Sequence, residues 1–187
     1  MIEVRIHGRG GQGAVIASKI LAVAVFKEGN YVQSFPNFGV ERRGAPVTAY
    51  TRIDNKPIFL RCKIYNPDHL VVLDPSLIEA INITEGLKDE GWVIINSDKE
   101  PSHFNSLLKK HRVATVDASG IALRHGLGTK ANPIVNTAIL GAFCKVTGLF
   151  SLPFLLEAVQ EEVPAAKERN VRAVEEAYHQ VRYLEMP

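Results

Sequence analysis

The chain has 187 residues, a formal net charge of +2 and 46% apolar residues, values that exclude a disordered, collagen-like or low-complexity protein. The charge is unevenly distributed, because residues 1–63 carry 10 basic and 4 acidic side chains whereas residues 64–187 carry 12 and 16. This asymmetry predicts one basic region that binds an anion, and it is too small for a protein that coats nucleic acid.

The first elements along the chain are typical of an α/β sheet. Alternating apolar residues over 2–7 predict a strand, and apolar residues at helical spacing over 14–28 predict a helix that Gly29-Asn30 ends. Residues 31–35 predict a second strand. This order of strand, glycine turn, helix and strand is the usual opening of a parallel sheet.

A loop over 36–46 separates this opening from two further β-rich runs. Residues 47–53 and 58–62 lie on either side of a short polar turn, so they predict a hairpin. Three short apolar runs then predict buried parallel strands over 70–73, 92–95 and 113–116. Each run is followed by a polar residue, as expected where sites form at the carboxyl ends of strands.

The carboxyl-terminal third changes to helical periodicity. Residues 134–146, 152–163 and 167–184 predict three helices. Together the elements predict one domain over 1–187, an α/β fold with a three-layer Rossmann-like sheet, helices on both faces and a helical carboxyl-terminal third. The longest apolar stretch, around 20–26, is too short to cross a membrane, and no secretory signal opens the chain, so we expect a cytoplasmic protein.

The cysteines argue against a metal centre held by this chain alone. Cys62 and Cys144 are far apart in sequence and no Cys-x-x-Cys pair is present, whereas zinc sites and iron–sulfur clusters need about four clustered ligands. The six histidines show no ligand spacing either. We therefore predict two buried, reduced thiols and no metal site.

A glycine-rich turn connects the first predicted strand to the first predicted helix. Gly8, Gly10 and Gly13 match the Gly-x-Gly-x-x-Gly spacing, and Gly11 and Gln12 complete the turn. Phosphate groups approach such turns because backbone N–H groups are free at the start of the helix. Dinucleotide binding also needs an acidic residue after the second strand, and residues 33–36 contain none. The turn therefore predicts a phosphate or subunit contact rather than NAD, with simple packing as the alternative.

The loop over 36–46 carries two adjacent arginines, Arg42 and Arg43, between glycine and proline residues. Guanidinium groups bind phosphate or carboxylate through two parallel hydrogen bonds, so this pair is a candidate anion site. The alternative is a solvated pair for which Glu41 supplies a local partner.

Four motifs, in this order, resemble the gamma subunit of the 2-oxoacid:ferredoxin oxidoreductases, and in particular its pyruvate or ketoisovalerate branch. They are Gly-Arg-Gly-Gly-Gln-Gly at 8–13, Ser-Phe-Pro-Asn-Phe-Gly-Val-Glu-Arg-Arg-Gly-Ala-Pro at 34–46, Asn-Pro-Asp at 66–68, and Asn-Thr-Ala-Ile-Leu-Gly-Ala at 136–142. The 2-oxoglutarate and indolepyruvate relatives typically have Arg-Gly-Gly in the second motif, so Ala45-Pro46 favours the pyruvate or branched-chain branch.

The resemblance implies a heteromeric complex that converts a 2-oxoacid and coenzyme A (CoA) to acyl-CoA and CO2 while reducing ferredoxin or flavodoxin. It implies thiamine diphosphate, magnesium and iron–sulfur clusters in the partner alpha, beta and delta subunits, with none bound by this chain. It also implies that this chain contacts CoA through Arg42, or Arg43, and through Lys130, while the glycine turn contacts either a CoA phosphate or a partner subunit. A second hypothesis, from another class of protein, is a stand-alone nucleotide-binding module.

Two aspartates end predicted strands and have a simpler interpretation. Asp74, in Asp74-Pro75-Ser76, and Asp117 both stand where a helix begins, so we predict that they cap helices.

Overall fold

The computed structural model describes residues 1–37, 44–104 and 111–184. The strands are β1 Ile2–Arg9, β2 Tyr31–Pro36, β3 Pro46–Asp54, β4 His69–Val72, β5 Trp92–Asn96, β6 Arg112–Val116, β7 Gly128–Thr129, β8 Asn132–Pro133 and β9 Arg182–Leu184. The helices are α1 Ala14–Lys27, α2 Leu77–Ala80, α3 Ala118–Arg124, α4 Ala138–Thr147, α5 Leu152–Glu162 and α6 Lys167–Gln180, and Pro101–Phe104 form one 3₁₀ turn.

Seven of the strands that the structure describes form one mixed sheet in the order β2-β3-β1-β4-β5-β6-β9. The central strands β1, β4, β5 and β6 are parallel. Strand β3 runs antiparallel to both β1 and β2, and β9 runs antiparallel to β6. The carboxyl ends of the four parallel strands therefore meet at one edge of the sheet, where the glycine turn, Asp74 and Asn96 lie.

The predicted strands at the centre of the sheet are confirmed, but the predicted hairpin is wrong. Residues 58–62 form no strand, and β3 pairs instead with β2 and β1. The segment is held by side chains. Arg52 is only 1% exposed. Its Nη2 donates to the carbonyls of Cys62 and Lys63 at 2.8 and 3.3 Å. Gln33 donates to the carbonyl of Leu60.

Two other predictions, the neighbour of β2 and the end of the last helix, are only partly correct. Strand β2 does not pair with β1, since β3 lies between them. The last predicted helix ends at Gln180, and the chain then forms the edge strand β9 instead of continuing as helix to residue 184.

Cys144 is buried as predicted, whereas Cys62 is exposed, so the expectation of two buried thiols is wrong for Cys62. Burial raises the pKa of the Cys144 thiol to about 12.

The α/β fold is confirmed, and its two outer layers are unequal. On one face, α1 and α4 contact the strands of the sheet, while α5 packs on α1 and α6 packs on α4 and α3. These five helices bury a large apolar cluster with β1, β5 and β6. The other face carries a smaller cluster, which is covered by α2, the 3₁₀ turn and loops. Within the described parts of the chain, no helix is long and apolar enough to cross a membrane.

Candidate functional site

The glycine turn is fixed at the end of β1 by its own polar side chains. Gln12 Oε1 accepts a hydrogen bond from the Arg9 backbone N–H at 2.7 Å, and the Gln12 N–H donates to the Arg9 carbonyl at 2.9 Å. Gln12 Nε2 also donates to Asp74 Oδ2 at 3.2 Å. The turn is therefore closed on itself and tied to the end of the neighbouring strand β4.

Asp74 is the centre of this arrangement. Its Oδ2 accepts from Arg9 Nε at 3.0 Å, and its Oδ1 accepts from the Ser76 N–H and hydroxyl at 3.0 and 2.6 Å. Burial acts to raise the pKa of Asp74, but the hydrogen bonds from Ser76, the Arg9 charge and Gln12 together hold it below its ordinary value of 3.8. The prediction that Asp74 caps the following helix is wrong, because the N-cap of α2 is Ser76, whose side chain does not bond the helix N–H groups. The Asp74 carboxylate instead bonds Ser76 in the turn before α2 and anchors the glycine turn. Asp117 does cap α3 as predicted, through Gly120 N–H at 2.8 Å.

The turn also holds the described end of the arginine-bearing loop. Gly10 donates its N–H to the Ala45 carbonyl at 2.9 Å and accepts from the Gly44 N–H at 3.1 Å. Arg9 Nη1 donates to the Gly44 carbonyl at 3.0 Å. Residues 44 and 45 therefore return to the glycine turn. Arg42 and Arg43 themselves lie outside the described residues.

Gly13 begins α1 in a position that no other residue type fits. Its φ is +80°, and a Cβ placed there would overlap Nδ2 of Asn136 and lie 3.0 Å from its Cγ. The glycine brings the start of α1 against the segment that precedes α4. This close approach gives Gly13 a packing role in addition to any contact with a ligand.

Three helix N-termini surround one cavity of about 350 Å³ beside the glycine turn. Ile16 belongs to the first turn of α1, Thr137 is the N-cap of α4, and Ala166 is the N-cap of α6. At none of these three starts does the capping side chain bond the helix N–H groups. The rest of the wall is mostly apolar, and the lining residues are Ile16, Gly126, Leu127, Gly128, Ile134, Asn136, Thr137, Val163, Pro164, Ala165, Ala166, Arg169 and Asn170.

This cavity has the chemistry of a site for an anion with an apolar portion. Helix starts carry partial positive charge and N–H donors, which favour phosphate. At α4 the N–H groups of Ile139 and Leu140 already donate to the carbonyls of Val135 and Thr137, so the free donors there are fewer than at an open helix start. Arg169 adds a full positive charge and donates to the Gly126 carbonyl at 3.1 Å. Asn136 is 5% exposed, and its Oδ1 has no partner among the residues that the structure describes. A buried amide oxygen without a donor is uncommon and marks a place where a ligand or water supplies one.

The structure brings most of the predicted site residues to one region. Gly8, Gly10, Gly11, Gln12 and Gly13 form the turn at the start of α1. Lys130 lies at the exposed tip of the β7–β8 hairpin, and Gly128 of the same hairpin lines the cavity. The roles predicted for these residues in ligand binding stay predictions.

Comparison with known proteins identifies the family. The profile of the pyruvate ferredoxin/flavodoxin oxidoreductase family matches residues 3–180. The chain belongs to this family. It is 56% identical to the pyruvate/ketoisovalerate oxidoreductases common subunit gamma of Thermococcus kodakarensis and 49% identical to pyruvate synthase subunit PorC of Methanothermobacter thermautotrophicus. These alignments cover 100% of both chains in the first case and 98% of both in the second.

Solved structures of this oxidoreductase family have the same fold. The crystal structure of pyruvate oxidoreductase subunit PORC from Thermotoga maritima matches with a TM-score of 0.84 at 34% identity, over 98% of each chain. A 2-oxoglutarate:ferredoxin oxidoreductase from Magnetococcus marinus matches with a TM-score of 0.74 at 17% identity, over 95% of this chain and 30% of that one. The gamma-type resemblance of the four sequence motifs is confirmed.

The topology of this oxidoreductase subunit also differs from that around a dinucleotide site of the usual kind. In such sites β2 lies next to β1, and its final acidic residue reaches the ribose. Here β2 is an edge strand with β3 between it and β1, and residues 33–36 contain no acid.

A second cavity, of about 500 Å³, lies at the carboxyl ends of β4, β5 and β6. Its polar groups bind one another: Asn96 donates to the Leu73 carbonyl and to Ser119 Oγ, and accepts from the Ser119 N–H. Lys99 and His103 are also paired, at 3.1 Å. This cavity also has the acidic residues Glu79 and Asp98 in its lining, so it is less suited to an anion than the cavity that Arg169 lines.

Two members of the site could not be predicted from the sequence. Asn136 was visible only as part of the fourth motif, and its position against Gly13 depends on contacts between distant segments. Arg169 stands among alternating charges on α6, which indicate only a solvated, paired helix face. Arg9 belongs to the basic excess of the first 63 residues, on one of the two loops that the resemblance places nearest CoA, but its contact with Gly44 was not predicted.

Proposed function

We propose that this chain is the gamma subunit of a multisubunit 2-oxoacid:ferredoxin or flavodoxin oxidoreductase and that it anchors CoA. The complex converts a 2-oxoacid, CoA and oxidised acceptor to acyl-CoA, CO2 and reduced acceptor. Full-length similarity to gamma and PorC subunits supports this role. The partners in this proposal are the alpha, beta and delta subunits, which carry thiamine diphosphate, magnesium and the iron–sulfur clusters.

The convergence of three uncapped helix N-termini on one cavity carries the proposal for CoA. CoA has a pyrophosphate and a 3′-phosphate, which suit helix N-termini and arginine, and a long pantetheine arm, which suits a partly apolar wall. The relative from Magnetococcus marinus has CoA and succinyl-CoA bound. In addition to the helix starts that line the cavity, we assign phosphate contacts to the turn residues Gly8, Gly10, Gly11, Gln12 and Gly13, together with Arg42, Arg43 and Lys130; the turn and Lys130 lie outside the cavity lining.

Anchoring of this kind contributes to the reaction without a catalytic residue on this chain. The phosphates of CoA are far from the thiol that receives the acyl group. Binding energy gained at these phosphates holds the thiol near the reacting carbon in the partner subunits, which lowers the entropic cost of the encounter. We therefore expect the isolated chain to show no turnover with any 2-oxoacid.

Arg42→Ala and Lys130→Ala should each raise the KM for CoA about tenfold in the assembled complex, because each removes a charge-assisted hydrogen bond to phosphate. The value of kcat at saturating CoA and the KM for the 2-oxoacid should stay unchanged. The measurement is steady-state reduction of ferredoxin as CoA is varied.

Lys56→Ala is the matched control, since Lys56 is exposed and follows β3 at the sheet edge opposite the glycine turn. It should leave all constants unchanged. If both test variants keep the wild-type KM and kcat, CoA is not anchored by these residues.

The substrate is proposed to be pyruvate or a branched 2-oxoacid, because the names of the relatives and Ala45-Pro46 favour that branch. The alternative is the 2-oxoglutarate or indolepyruvate branch. Assay of the purified complex with pyruvate, 2-oxoisovalerate, 2-oxoglutarate and indolepyruvate distinguishes these substrates. We place the complex in the cytoplasm, which agrees with free Cys62 and Cys144.

A further inference from the structure

A separate polar cavity of about 460 Å³ lies on the sheet face opposite α1. Residues alternate across a strand, so Val4 and Ile6 of β1 point into the large helical core while Arg5 and His7 point to the other face. Arg5 pairs with Tyr50 and His7 with Thr48 on β3, and all four line this cavity. It is therefore separated by the sheet from the cavity beside the glycine turn.

The protonation of His7 follows from its contact with Arg5. Arg5 Nε lies 3.0 Å from His7 Nε2, and a guanidinium group donates hydrogen bonds but cannot accept them. Nε2 of His7 is therefore the acceptor, and the proton of the neutral ring lies on Nδ1. Burial, and then the charge of Arg5, lower the pKa of His7 to about 3, in agreement with a neutral ring.

His7 Nδ1–H is a buried donor that lacks an acceptor. The residue is 5% exposed, and Nδ1 has no partner among the residues that the structure describes. Buried donors without acceptors are uncommon in proteins because they lose their hydration without compensation. Nδ1 has almost no accessible surface of its own, so an acceptor in the cavity would satisfy Nδ1–H only by displacing the atoms that pack against this side of the ring.

The charges around the cavity favour an acceptor that is negatively charged. Arg5 is 8% exposed, and its Nη2 is held by the carbonyls of Ile83 and Glu85 at 2.9 and 2.7 Å. The guanidinium is thus fixed in place by neutral groups rather than by a carboxylate contact. Lys63 adds a second positive charge at the exposed side, and the Glu85 side chain is the one acidic group in the lining. With His7 neutral, the lining has a net charge of +1.

We propose that this cavity binds a small oxyanion, a carboxylate or a phosphate, that accepts hydrogen bonds from His7 Nδ1–H and Arg5. Tyr50 contributes a hydroxyl from β3, and Lys63 closes the site at its exposed side. The site is independent of the CoA anchor, because it uses the opposite face of the sheet. Its function is binding, and it requires no reaction.

The experiment uses the full-length chain labelled with ¹⁵N, with the His7 ring signals assigned by comparison with His7→Gln. Acetate and phosphate are titrated separately, with chloride as the control for ionic strength. We expect the His7 Nδ1 signal to move on addition of acetate, phosphate or both, and not on addition of chloride. The stronger of the two ligands identifies the class of anion.

Lys63→Gln should weaken the binding about tenfold, since it removes a charge-assisted contact from an exposed side chain, whose ammonium otherwise lies over the Tyr65 ring. Tyr50→Phe is a second variant that removes only a hydroxyl. Lys56→Gln is the matched control and should bind like the wild type. The proposal is overturned if neither acetate nor phosphate moves the His7 signals, or if Lys63→Gln and Lys56→Gln bind both anions equally.

Discussion

Gly13→Ala is expected to destabilise the chain by about 2–5 kcal/mol, because two separate costs add at this position. A residue with a Cβ in the left-handed region costs about 1–2 kcal/mol, and the backbone φ here is +80°. Forcing extra volume into a packed contact costs about 1–3 kcal/mol, and the new Cβ would overlap Asn136 Nδ2. Urea unfolding of the full-length chain measures the total.

Gly11→Ala is the matched control for Gly13→Ala. Gly11 also has a positive φ, of +98°, but no atom lies within 4 Å of the position that its Cβ would occupy. We expect a loss of only about 1–2 kcal/mol, since this variant has the backbone cost without the overlap. Equal losses for the two variants would contradict the packing role of Gly13.

A double variant separates the two costs directly. Asn136→Ala removes the side chain that a Cβ at Gly13 would meet, so Gly13→Ala should cost less in the Asn136→Ala background by about 1–3 kcal/mol. The remaining loss should approach that of Gly11→Ala. A Gly13→Ala loss that is the same in both backgrounds would show that strain of the backbone alone explains it.

The parts of the fold that the sequence predicts best are those in which local pattern and burial agree. Strands β4, β5 and β6 are continuous apolar runs because both faces of a parallel strand are buried, and this pattern is visible without any partner. The pairing of β3 is different. Contacts across the sheet determine that β3 pairs with β1 and β2. Residues 58–62 resemble a strand in composition, but a hydrogen bond from the Arg52 side chain holds this segment in place of a partner strand.

The candidate site likewise has one part that the sequence predicts and one that it does not. The glycine turn was predictable, because the spacing of Gly8, Gly10 and Gly13 is local and has a physical reason. The meeting of α1, α4 and α6 at one cavity was not, because the helix starts are far apart in sequence. The starts also lack the Ser, Thr, Asp or Asn side-chain bonds that usually mark an N-terminus, and an uncapped start becomes informative only when its surroundings are known.

Asp74→Ala is expected to destabilise the chain by about 2–3 kcal/mol, because hydrogen bonds to a charged group are worth about 1.5–3 kcal/mol. The change leaves Arg9 Nε and Gln12 Nε2 without their common acceptor. Since Arg9 and Gln12 hold the glycine turn and Gly44, we also expect the KM for CoA to rise in the assembled complex while the KM for the 2-oxoacid stays constant. Unfolding in urea and steady-state kinetics measure the two effects.

Asp74→Asn removes the negative charge of this side chain but keeps its size and shape. The amide keeps an acceptor for Ser76 but places an N–H donor, in place of Oδ2, against the donors Arg9 Nε and Gln12 Nε2. The loss should therefore approach the roughly 2–3 kcal/mol of Asp74→Ala. The folded-state pKa of Asp74 lies below its ordinary value of 3.8, so its stabilising contribution is present above that value and is lost as pH falls through the folded pKa. The cost of Asp74→Ala should therefore be constant between pH 5 and 8. A cost that changes across this range would show that the folded pKa of Asp74 is raised into it rather than lowered below 3.8.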